Sequence, residues 1–95
     1  MPGGLSELKN ADDEIQLIVD EIKEIFFTKF YNSETFEVDS YKTQVVNGTN
    51  YFIKIKTDKE HVHLRVHQSL PCNSSKITYV NQQLDKTKTD EITYF

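Results

Sequence analysis

Between Ile15 and Phe30 the apolar residues Ile15, Ile18, Val19, Ile22, Ile25, Phe26 and Phe30 recur at intervals of three and four. At the helical rotation per residue they fall within an arc of about 140°, which predicts an amphipathic helix with one face to bury. Gln16, Asp20, Lys23 and Glu24 fall on the opposite side. Leu17 and Phe27 lie off the stripe, and Lys29 intrudes near its end. Asp12 suits the N-cap, and Asp13 and Glu14 place negative charge where the helix dipole is positive.

From Phe36 onward the period changes to two. Tyr41, Thr43 and Val45 alternate with Lys42 and Gln44. Tyr51, Ile53 and Ile55 alternate with Asn50, Lys54 and Lys56, although Phe52 breaks the polar side. Val62, Leu64 and Val66 alternate with His61, His63, Arg65 and His67. A weaker strand spans Lys76 to Asn81, and a last one is expected from Glu91 to Phe95. Asn47-Gly48 is a tight-hairpin dipeptide, because both residues tolerate positive φ. Asp58-Lys59-Glu60 makes a charged turn, and Leu70-Pro71 opens a polar loop, Cys72 to Ser75. One helix followed by hairpin-linked strands predicts an α+β fold, a helix lying across an antiparallel sheet.

The chain has 95 residues, enough for one domain, residues 1–95, with residues 1–10 as a flexible N-terminal arm. Lys and Arg number 11 against 15 Asp and Glu, and the net charge of −4 argues against nucleic acid or an anionic membrane as partner. The single Cys72 leaves no intramolecular disulfide, so packing and sheet pairing must supply the stability. The N-terminus lacks the basic and apolar regions of a secretory signal, and no strongly apolar run is longer than three residues, as at Ile25-Phe26-Phe27. These features, with the free thiol, place the protein in the cytoplasm and leave the sequons at Asn47 and Asn73 unused.

No catalytic constellation assembles. Cys72 sits in a polar loop without the local context of a Cys/His enzyme, and reads as a solvent-facing cysteine. The carboxylates are scattered. His61, His63 and His67 share a face of one predicted strand, and His61 and His63 have metal-pair spacing. His67, however, stands about 13 Å further along an ideal strand. These three are read as the solvated polar side of a half-buried strand, with no metal and no cofactor.

Three segments are apolar where a loop should be polar: the Gly3-Gly4 arm with Met1, Pro2 and Leu5, the hairpin Gln44-Val45-Val46-Asn47-Gly48, and Leu70-Pro71. In a meander, turns between alternate strand pairs project from one end of the sheet, so Asn47 and Pro71 share a rim that the arm can reach. A line of small apolar tips on one rim is a wedge suited to a groove.

The run Gln44 to Gly48, continued by Thr49-Asn50-Tyr51-Phe52-Ile53-Lys54, closely resembles the Gln-Val-Val-Ala-Gly hairpin of the cystatins. The glycine arm, Val62-His63-Leu64-Arg65-Val66, Ser69-Leu70-Pro71 and Asp90 to Phe95 resemble the stefins, the intracellular type 1 cystatins, in one register over essentially the whole chain. The resemblance implies the cystatin fold, a helix wrapped by a four- to five-stranded antiparallel β-sheet. It also implies a reversible, tight-binding inhibitor, not an enzyme, that plugs the cleft of papain-like cysteine proteases such as cathepsins L, S, H and B. The protease-binding residues it implies are Gly3, Gly4, Gln44, Val45, Val46, Asn47, Gly48, Leu70 and Pro71. A monomer is expected, with exchange of the helix and first strand through the Gln44–Gly48 hinge as a route to a swapped dimer. Asn47 departs from the family's alanine, and only two residues precede Gly3. Two alternatives remain at this level: the same fold serving a partner that is not a protease, and an enzyme or metal protein built on Cys72 and the histidines.

Overall fold

A computed structural model describes residues 4–69 and 76–95. The elements are β1 (Lys9–Asn10), α1 (Asp13–Lys29), β2 (Phe36–Val46), β3 (Gly48–Thr57), β4 (His61–Gln68) and β5 (Ile77–Lys86). The five strands form one antiparallel sheet in the order β1-β2-β3-β4-β5. The α+β architecture is the one expected, and α1 lies on one face of the sheet.

Asp12 caps α1 by accepting a 2.9 Å hydrogen bond from the Ile15 amide, and the Tyr41 hydroxyl donates to its other carboxylate oxygen at 2.7 Å. The backbone bond holds the Asp12 carboxyl below its usual range, with Tyr41 adding to the effect. Ile15, Ile18, Val19, Ile22 and Phe26 are buried against Tyr41, Tyr51, Ile53, Ile55, Val62, Leu64 and Val66. Ile25, expected in the stripe, is instead 43% exposed. Phe27, expected off it, packs edge-on to Phe36 with ring centroids 5.3 Å apart. The aromatic group of Phe26, Phe27, Phe30, Tyr31 and Phe36 takes up the last helical turn, and Ile25 points away from it.

Two strand expectations change. β5 extends to Lys86, beyond the expected Asn81, because β4 offers a partner along its whole length. Residues 91–95 form no strand. They continue an irregular strap that crosses the sheet face opposite α1. Lys54 Nζ donates to the Lys88 carbonyl at 2.6 Å, Lys42 Nζ to that of Ile92 at 2.8 Å, and Arg65 to the main-chain oxygen of Phe95 at 2.6 Å. Three cations thus bind the strap's carbonyl oxygens, leaving its amides without a sheet neighbour to pair with. Beneath it Phe52 and Ile92 are almost completely buried, and Phe52 packs against Tyr94 and Phe95 at 5.7 and 5.6 Å. The residue that broke the polar side of β3 is the centre of a second, smaller apolar layer.

The strap also corrects the reading of the histidines as a solvated face. They do share the outer face, but His63 is fully buried, and neither ring nitrogen has a hydrogen-bond partner. Burial, reinforced by Lys54 and Lys86, pushes its pKa down to about 4. Among the described residues no group of three His, Cys, Asp or Glu side chains could hold a metal ion, and no helix is long and apolar enough to cross a membrane.

Candidate functional site: a rim of chain turns

β2 and β3 are joined with a single residue at the apex: Val46 pairs with Gly48, and Asn47 stands between them. So tight a reversal needs a residue at positive φ, and Gly48 takes it at +102°. A side chain at Gly48 would also collide with the Gln68 backbone oxygen and approach the His67 ring to 3.0 Å. Glycine is therefore required twice, for conformation and for the close passage of β4. Val45 is 71% exposed, Asn47 is exposed and Val46 is half-buried, so the turn presents apolar surface to solvent.

The hairpin is braced from below. Gln44, Asn50 and His67 stand opposite one another on β2, β3 and β4. The Asn50 amide donates to Gln44 Oε1 at 3.0 Å, and His67 Nδ1 lies 2.8 Å from Asn50 Oδ1. Because that oxygen can only accept, His67 Nδ1 carries the proton, and in the neutral ring Nε2 carries the lone pair. On the helix side the Tyr51 hydroxyl donates to Gln68 Oε1 at 3.2 Å. Burial, followed by Glu14, raises the Tyr51 pKa above its ordinary value. Asn50 and His67 are the structural contributors that the alternation of polar residues could not single out. Counting outward from Asn47 places Asn50 opposite Gln44, but the third strand's register is set by no local signal.

Other passages of chain reach the same end of the sheet. The segment before β1 runs antiparallel along β2: the Ser6 amide donates to the Thr43 carbonyl at 2.8 Å, and the Thr43 amide to Ser6 Oγ at 2.9 Å. Part of the arm drawn as residues 1–10 is therefore hydrogen-bonded to the sheet edge, with Gly4 beyond it toward the hairpin and nothing within 4 Å of a Cβ placed there. β4 ends beside the hairpin, where Thr49 pairs with Gln68. Ser69 and Lys76 are joined by backbone and hydroxyl hydrogen bonds at 3.0 and 2.8 Å, which closes the base of the segment between them. Gly3, Leu70 and Pro71, expected members of the rim, lie outside the described residues. The structure thus brings Gly4 and Gln44–Gly48 to the end of the sheet from which the 70–75 segment departs. The turn at Asp58 sits at the opposite end, held by Glu34 and Thr35 amides that donate to its carboxylate at 2.7 and 3.1 Å.

The chemistry of this rim is that of contact. It offers the exposed Val45 and a rigid turn, and among the described residues no group of three or more His, Cys, Asp or Glu side chains could hold a metal ion. The shallow groove between α1 and β5 is lined by Glu14, Asp20, Glu21, Leu17, Ile18, Gln68 and Ile77, and no nucleophile stands among them.

A cystatin domain model matches residues 3–92. The chain is 46% identical to Cystatin-A of Homo sapiens over 100% of its own length and 99% of that protein's. It is 43% identical to Cystatin-B of Homo sapiens with the same coverage. To Cystatin-A2 of Dictyostelium discoideum it is 42% identical, over 98% of this chain and 96% of that protein. A match of this extent, on a helix and five-stranded meander with the Gln-Val-Val-x-Gly turn at its rim, shows that the chain belongs to the cystatin family, in its stefin branch.

Proposed function

We propose that the protein is a reversible, tight-binding inhibitor of papain-like cysteine proteases, of the cathepsin L, S, H and B class, acting in the cytoplasm as a monomer. The inhibitor inserts its rim into the active-site cleft. Gly3 and Gly4 lead the arm along one side of the cleft, Gln44 to Gly48 cover the catalytic centre, and Leu70 and Pro71 fill the other side. No covalent step is involved. The observation that carries this reading is the 71% exposure of Val45 on a hairpin braced on both faces of the sheet. Burying each valine is worth about 1.5 to 3 kcal/mol at most, and a turn already rigid loses little entropy on docking.

The test is titration of active papain and cathepsin L with the reduced protein, reading residual activity on a small fluorogenic substrate. Stoichiometric loss of activity is expected. Full protease activity at micromolar protein would overturn the proposal and leave the rim to a partner of another kind.

A further inference from the structure

Asn47 is set apart from the other described asparagines by its C-terminal neighbour and by its surroundings. It is exposed at the apex of the hairpin, its side chain makes no hydrogen bond to any described residue, and Gly48 comes next. Asn50 is buried, holds Gln44 and His67, and precedes Tyr51. The Asn81 side-chain oxygen Oδ1 accepts from the Gln82 amide at 2.9 Å, which engages the N–H of the nitrogen that would have to attack Asn81 Cγ. Asn10 and Asn32 are followed by Ala11 and Ser33, whose Cβ atoms crowd the same approach. At Gly48 no side chain stands in the way.

A base is also close by. The His67 ring lies against the Gly48 backbone, with Nε2 3.0 Å from the place a Cβ would take. Since Nδ1–H is committed to Asn50, Nε2 is the nitrogen free to accept a proton.

We propose that Asn47-Gly48, with His67 beside it, is a self-modification site at which Asn47 converts to aspartate and isoaspartate. His67 Nε2 takes the proton from the Gly48 amide, and the nitrogen attacks Asn47 Cγ. The N–Cγ bond forms, the Cγ–Nδ2 bond breaks, and the imidazolium returns the proton to the departing amino group, which leaves as ammonia. The product is a five-membered succinimide. Water then opens the ring. Attack at Cγ breaks the new N–Cγ bond and yields aspartate. Attack at the main-chain carbonyl breaks the original peptide bond and yields isoaspartate, with an extra methylene in the backbone. The net change is one asparagine and one water to one acid and one ammonia, with no redox step.

Either product puts a carboxylate at the apex, and isoaspartate also lengthens a turn that has room for one residue. If the rim enters an apolar cleft, a charge there must be stripped of water, so inhibition weakens as the protein ages. That consequence rests on the proposed inhibition; the modification does not.

The protein is incubated at mildly alkaline pH and sampled over time, by peptide mapping for aspartate and isoaspartate at every asparagine and by papain titration. Conversion at Asn47 is expected to outrun that at Asn10, Asn32, Asn50 and Asn81, and equal rates would overturn the site. His67→Phe keeps the ring's bulk and should slow Asn47 severalfold; an unchanged rate in a variant with native circular dichroism would remove His67 from the step. Fully converted protein should inhibit papain at least about tenfold more weakly than fresh protein, while Asn47→Ala holds its own starting value through the same incubation. Converted protein that inhibits as well as fresh protein would overturn the functional consequence. Fresh protein that does not inhibit would sink the wedge instead, and the peptide maps would still decide the chemistry.

Discussion

His63 ties acid sensitivity to the strap. Its imidazole is fully buried, faces Lys54 on β3, Lys86 and Gln83 on β5 and Asp90 on the strap, and has no hydrogen-bond partner for either nitrogen. Its pKa falls from 6.5 to about 4, first through burial and then through the two lysines. Within that window the unfolded chain binds a proton that the folded protein refuses. Stability is therefore complete above pH 6.5 and drains away as the pH falls toward 4. The full shift is worth roughly 3 kcal/mol, and water entering under a single layer of strap reduces this to about 2 kcal/mol. His63→Leu removes the titration together with two unsatisfied polar atoms, so at neutral pH it should be neutral or mildly stabilising. The assay is urea unfolding of wild type and variant near pH 7 and at about pH 4.5, where carboxylate titration is common to both proteins and cancels in the difference. Wild type should lose about 2 kcal/mol more than the variant between the two conditions. Equal losses would mean that His63 is already hydrated or charged, and the burial argument would fail.

Other substitutions separate stability from contact. Gly48→Ala forces a Cβ toward the Gln68 oxygen at a φ that side chains avoid, and should cost about 1 to 3 kcal/mol in thermal or urea unfolding. A change within about 0.5 kcal/mol would show that the turn relaxes freely. Phe52→Ala empties the outer layer and should cost about 3 to 5 kcal/mol, with faster hydrogen exchange on the outer-face lysine and arginine partners of the strap. Retained protection there would assign the strap's stability to its cation–carbonyl bonds alone. Val45→Glu alters an exposed side chain, so the melting temperature should hold while papain inhibition weakens by about tenfold or more. Unchanged inhibition would take Val45 out of the contact surface.

Some of this molecule could be read without folding it. The period of α1, its Asp12 cap, the alternation along β2, β3 and β4 and the Asn47-Gly48 reversal are consequences of backbone geometry over a few residues, and the chain carries them in its own pattern. The motif at Gln44–Gly48 was legible for the same reason, since a hairpin apex is a local object. Tertiary structure decided the rest. Whether Ile25 or Phe27 is covered depended on where Phe36 and Tyr31 arrive, and the interval between apolar residues is silent on that. The Glu91–Phe95 run has a strand's composition, yet it lies flat on Phe52 because the sheet face was the apolar surface within reach. The same crossing turned His63 from a surface residue into a buried base. Periodicity reports which residues share a face, but burial is set by what comes from elsewhere in the chain to cover it.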